Sequence, residues 1–337
     1  MNKHFFTYRQ PIQLESGQTL NTADVVYHTC GTLNAGKSNV VWFCHALTAN
    51  SDVSDWWDSL VGEGKKFDPA HYFIVCANII GSCYGSSGPL SLNPETNKAY
   101  FSTFPQVTIR DMVKVHNVLR KHLGLEKIDT IIGGSMGGYQ VLEWVIAEPE
   151  VFDKMILVAT GAQESAWGIA IHTAQRLAIE ADSTWKDLHQ HAGAKGLKAA
   201  RAIGMLTYRN YEAFVRTQTE PENDKLDHFR ASSYINYQGD KLVKRFNVYS
   251  YWLLGKAMDS HNIARNRGTL EDVLKNIHTK TLIIGISSDQ LCPIAEQKII
   301  AQHIPNATFV EIDSPYGHDG FLIEGKLIGE AINSFLQ

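Results

Sequence analysis

The sequence predicts an α/β protein: a mostly parallel central sheet flanked by helices, with a block of helices inserted ahead of the last two strands. Three observations predict it. Short β-branched runs alternate with helical stretches through the first half of the 337 residues. That alternation stops after Thr160 and returns at Thr281. One strand-to-helix junction carries Gly133-Gly-Ser-Met-Gly137, a serine framed by glycines. Such alternation builds parallel sheets covered on both faces.

In chain order, segments near 4–14 and 23–32 read as antiparallel strands that open the sheet. Val40–Cys44, Tyr72–Cys76, Ile128–Ile132 and Lys154–Val158 are the short apolar runs expected of buried strands. Ile109, Met112, Val113, Leu119 and Leu123 fall on one stripe, which predicts a helix over Thr108–Leu123. Thr108 and Asp111 resemble a capping box at its start, and Gly124 ends it. A second helix follows Ser135, carries Val141, Leu142, Val145 and Ile146, and stops at Pro149. From 162 to 276 no buried strand is expected, and Glu164–Ala181, Ala194–Tyr208, Tyr211–Gln218 and Ser250–His261 read as helices. Thr281–Ile286 is again a strand, followed by a helix near Ile294–Gln302, a strand Thr308–Ile312 and a closing helix from Phe321 to Phe335. The chain thus divides into a core of residues 1–161 and 277–337 and a helical cap of residues 162–276 over the carboxyl ends of the strands.

Composition narrows the function classes. With 44% apolar and 20% charged residues the chain reads as a folded domain with a sizeable core. A net charge of -4 gives no basic surface for nucleic acid. Five scattered cysteines, with no C-x-x-C pair, point to a reducing compartment and away from zinc. No segment reads as a signal peptide or a membrane span, so a cytoplasmic location is expected.

Gly133–Gly137 fits G-x-S-x-G, the turn that lifts a nucleophilic serine off a sheet and aims a helix N-terminus at developing negative charge. A serine hydroxyl needs a base to take its proton. Asp289 follows the strand ending at Ile286, and His318 lies in a glycine-flanked loop after the strand ending at Ile312. Serine, acid and histidine in that order, each after its own strand, form the series of the α/β-hydrolase fold. Asp289 is expected to fix the tautomer of His318. The Met136 amide is expected as one oxyanion donor, with the other from the loop His45-Ala-Leu-Thr48. His45 itself reads as structural.

The chain also resembles the homoserine O-acetyltransferase family, which includes homoserine and serine O-succinyltransferases. The likeness runs through His45–Thr48, Trp56–Asp58, Asn78–Pro89, Thr108–Met112, Gly133–Gly138, Ala199–Gly204 with Thr207-Tyr208, Tyr237–Asp240 and Tyr316–Asp319. The resemblance implies Leu47 as the second oxyanion donor, Arg201 and Tyr208 around an amino-acid carboxylate, and Asp319 at its ammonium. Arg201 and Tyr208 are seven residues apart, two turns along one helix face. It further implies ping-pong transfer of an acyl group, acetyl first, from acyl-coenzyme A to the hydroxyl of L-homoserine in methionine biosynthesis. No resident cofactor or metal is implied, and a homodimer through the cap is. Succinyl transfer, serine as acceptor, and an esterase with the same triad remain the alternatives. Ala49-Asn50, Ser82, Ala99–Phe104 and His172-Thr173 depart from the family pattern, the last where Asn-Glu is more usual.

Overall fold

The computed structural model describes residues 1–222 and 224–337. Eight strands form one sheet: β1 (Asn2–Tyr8), β2 (Ala23–Cys30), β3 (Val40–Cys44), β4 (Phe73–Ala77), β5 (Ile128–Gly134), β6 (Phe152–Val158), β7 (Lys280–Ile286) and β8 (Ala307–Ile312). They stand in the order β1-β2-β4-β3-β5-β6-β7-β8. β2 runs against both of its neighbours, and every pairing from β4 to β8 is parallel.

Burial explains the apolar runs. In β3, Val41 and Phe43 face a layer holding Trp57, Phe67, Ile328 and Ile332. Val40, Trp42 and Cys44 face the opposite layer with Met112, Leu142 and Trp144. The alternation repeats in β6, where Met155 and Leu157 share one layer while Ile156 and Val158 share the other. A strand buried on both faces has no polar side, and each fully buried large side chain contributes roughly 1.5–3 kcal/mol.

α1 (Ile109–His122) carries the expected capping box: Asp111 N–H donates to Thr108 Oγ1 at 3.3 Å and Thr108 N–H to Asp111 Oδ2 at 3.1 Å. α2 (Met136–Ala147) follows β5 directly. Between β6 and β7 lie α3 (Ala166–Glu180), α4 (Ala194–Tyr208), α5 (Tyr211–Gln218), α6 (Arg230–Val243) and α7 (Val248–Asp259), then a short helix, Leu270–Lys275. α8 (Ile294–His303) and α9 (Gly325–Leu336) complete the flanking layers.

The differences from the sequence reading are local. α6 lacked a clear stripe because only Gly239 and Leu242 of it are buried. α3 starts at Ala166, where the Ser165 hydroxyl accepts from Gly168 N–H, and α7 starts at Val248 under an Asn247 cap. The closing helix is two pieces, Gly320–Ile323 and α9, broken at Glu324. Gly325 packs there so closely on Ser59 that a Cβ would stand 2.1 Å from its side chain. Two short hairpins, Ile12–Gln13 with Thr19–Leu20 and Leu92–Asn93 with Lys98–Ala99, stand apart from the sheet.

The register places the site. Cys44 lies beside Gly133, Gly134 beside Val158, Val158 beside Ile284, and Ile286 beside Ile312. The carboxyl ends of five neighbouring strands are therefore nearly level, and the loops leaving β3, β5, β7 and β8 emerge together.

Candidate active site

Ser135 sits at φ 55, ψ −128, a strained conformation for a residue with a side chain. Its surroundings hold it there. Ser135 N–H donates to Val158 O at 3.0 Å, and its carbonyl accepts from Thr160 Oγ1 and Gly138 N–H, each at 2.8 Å. The framing glycines are sterically required. A Cβ at Gly133 would lie 2.4 Å from the Gly137 backbone, and one at Gly137 would lie 2.1 Å from Cys44 O. α2 can approach β3 this closely only without those side chains.

His318 Nε2 lies 2.9 Å from Ser135 Oγ, and His318 Nδ1 lies 2.7 Å from Asp289 Oδ2. A carboxylate only accepts, so the Nδ1 proton is fixed toward Asp289 and the Nε2 lone pair faces the serine. Asp289 Oδ1 accepts from Leu291 N–H at 2.8 Å and Cys292 N–H at 2.9 Å, which orients the acid. Burial opposes charge on the imidazole, but the Asp289 carboxylate, with Asp319 and Glu164 beyond it, holds His318 above its ordinary pKa. Ser288 cross-links the two loops, donating to Ser314 O at 2.5 Å and accepting from Gly317 N–H at 2.9 Å.

Met136 is the first residue of α2, where an amide has no intrahelical acceptor. Leu47 lies in the loop leaving β3, and its amide donates to no backbone acceptor among the described residues. That loop is pinned from beneath. His45 donates from Nδ1 to Ala46 O at 2.9 Å and accepts at Nε2 from Ile79 N–H at 3.1 Å. Burial pushes its pKa down to about 4, so it is a neutral strut. Gln140 Nε2 donates to both His45 O and Met136 O, at 3.0 and 3.1 Å, tying the two donor segments together.

Ser135, His318, Leu47, Arg201, Tyr208 and Asp319 all line one cavity of about 100 Å³. Arg201 stacks on the Tyr208 ring at 5.2 Å and makes no ion pair or hydrogen bond among the described residues. Tyr208 stands 6.0 Å from the His318 ring. Asp319 occupies a helix N-cap position without capping it and pairs instead with Arg209 at 2.8 Å. Burial raises its carboxyl against the opposing pull of Arg209, His318 and Arg201. Arg209, Gln140, Thr160 and Ser288 were not anticipated from sequence. Gln140 alone carried a signal, as an amide inside an apolar helix. The Asp289, Cys292 and His318 donor atoms lie within 4.8 Å of one another. Asp289 and His318 are already bonded together there, and burial holds the Cys292 thiol protonated.

A nucleophilic elbow, an acid and a histidine carried on the loops after β5, β7 and β8 define an α/β-hydrolase-fold enzyme, and residues 39–324 match the alpha/beta hydrolase fold family. The chain is 48% identical to a homoserine O-acetyltransferase of Cyclobacterium marinum, over 99% of this chain and 95% of that one. The crystal structure of homoserine O-acetyltransferase from Bacillus anthracis superposes with a TM-score of 0.93 at 25% identity, covering 100% and 97% of the two chains. Esterase E22 superposes at 0.90 with 26% identity and full coverage of both. The chain belongs to the homoserine O-acetyltransferase family and is an acyltransferase-type enzyme. No helix among the described residues is long and apolar enough to cross a membrane.

Proposed function

We propose that this enzyme transfers an acetyl group from acetyl-coenzyme A to the side-chain hydroxyl of L-homoserine through an acyl-serine intermediate. The Ser135 proton passes to His318 Nε2 as Oγ attacks the thioester carbonyl, and the oxyanion rests on the Leu47 and Met136 amides. Collapse expels the coenzyme A thiolate, which takes the proton from His318. The homoserine hydroxyl then gives its proton to His318 and attacks the acyl carbonyl. The second tetrahedral species releases Ser135, which recovers the proton, and the product is O-acetyl-L-homoserine, a precursor in methionine biosynthesis. Asp289 stabilises the imidazolium at both stages. Helices of residues 162–276 act as a cap that keeps water off the acyl-enzyme. Two copies pair through this cap, where Leu206, Tyr211 and Tyr237 lie exposed.

One observation carries the choice of acceptor: an unpaired guanidinium, Arg201, on the wall of the cavity that holds Ser135. Simple ester cleavage needs no such group, whereas an amino-acid carboxylate fits it with two parallel hydrogen bonds. A cavity of about 100 Å³ also suits a short acyl group and a small amino acid. Likeness to esterase E22 gives hydrolysis as the second reading, with water in place of homoserine. Arg201→Ala separates them. Transfer to homoserine should fall at least about 10- to 100-fold, from loss of a charged hydrogen bond, while p-nitrophenyl acetate cleavage changes little. Equal losses in both assays would exclude the clamp role.

A further inference from the structure

The catalytic cavity contains a second histidine–aspartate pair that the triad does not use. His172, on α3, is 6% exposed and lines the same cavity as Ser135 and Arg201. Its Nδ1 lies 3.0 Å from Asp259 Oδ1 at the end of α7, and Asp259 Oδ2 is held by Arg176 at 2.7 Å. Glu164 Oε2 stands 4.0 Å from the same nitrogen. Asp259 only accepts, so the ring proton is fixed on Nδ1 and the ring plane is set by two helices. Nε2 has no hydrogen-bond partner among the described residues, and the imidazole lines the cavity. One hydrogen bond to a carboxylate that is itself held by Arg176 fixes the imidazole.

The groups around it indicate what Nε2 meets. Arg201 takes a carboxylate, and His318 takes the hydroxyl proton. The ammonium of an amino-acid acceptor remains; it carries three N–H donors, and Asp319, which also faces Arg209 at 2.8 Å, takes only part of them. We propose that His172 Nε2 accepts a hydrogen bond from the primary ammonium of the acceptor and so selects α-amino acids over uncharged or simply acidic alcohols. This rests on the acyl-transfer reading above.

Three acceptors test it: L-homoserine, 4-hydroxybutanoate, which lacks the ammonium, and 3-amino-1-propanol, which lacks the carboxylate. For His172→Leu, kcat/KM should fall about 10- to 100-fold with homoserine and 3-amino-1-propanol, the size of a hydrogen bond to a charged group, and by less than threefold with 4-hydroxybutanoate. His172→Gln, which restores an acceptor oxygen, should recover most of the ammonium preference. His172→Phe, which keeps the ring volume, serves if the leucine variant does not fold. Equal losses for all three acceptors would reduce His172 to a shape-filling residue. A loss confined to the two carboxylate-bearing acceptors would make it part of the Arg201 clamp. Either result overturns the proposal. Wild-type enzyme that fails to acetylate homoserine at all would instead overturn the acyl-transfer reading.

Discussion

Glu296 offers a stability test of the electrostatics behind the triad. It lies in the first turn of α8, facing Glu164 and the Asp289 carboxylate. A Cβ at Gly161 would stand 2.9 Å from its Oε2, so the site is tight. Burial first, then those two like charges, push its carboxyl up to about 7 from an ordinary 4.5. The folded protein therefore keeps a proton that the unfolded chain loses, and the associated stability, full below about pH 4.5, is lost as pH rises through 7. At full burial the shift would correspond to about 3 kcal/mol, and screening of this half-buried group reduces it to about 1–2 kcal/mol. Glu296→Gln should thus match wild type near pH 5 and exceed it by about 1–2 kcal/mol at pH 8. Urea titrations at pH 5, 6, 7 and 8 read this directly. Parallel stability curves for the two proteins would show that the cluster is solvated and that its charges do not interact.

Other predictions follow from the site. His318 must be neutral to take the serine proton, and its raised pKa places the acid limb of kcat/KM above about pH 6.5. Asp289→Asn should move that limb down and lower kcat on the order of 10⁴-fold, and an unmoved limb would disconnect His318 from Asp289. Gly137→Ala drives a Cβ to 2.1 Å from a backbone carbonyl that cannot rotate away. It should cost at least about 2–3 kcal/mol by chemical denaturation, and an unchanged midpoint would show that α2 can retreat from β3.

Much of this was legible in the sequence because strands buried on both faces must be apolar and a strained nucleophile turn must be glycine-framed. Both constraints act on residue type at fixed spacing. Ser135, Asp289 and His318 were found because each follows its own strand. α6 was missed because only Gly239 and Leu242 of it are buried, so burial left no periodic mark. The break at Glu324 escaped because the close packing of Gly325 beside it is on Ser59, more than 250 positions away. Arg209 was hidden for the same reason: it matters only because the loop after β8 meets the end of α4. There a Cβ at Gly317 would lie 2.9 Å from Tyr208 O. The His172–Asp259 pair joins residues 87 positions apart, beyond any local pattern.

The most direct measurement is intact-protein and peptide mass spectrometry of the enzyme mixed with acetyl-coenzyme A alone. The expected result is a gain of one acetyl group on the peptide bearing Ser135, discharged by L-homoserine to O-acetyl-L-homoserine and absent from Ser135→Ala. An acetyl group on another residue, none at all, or discharge to water but not to homoserine would contradict it.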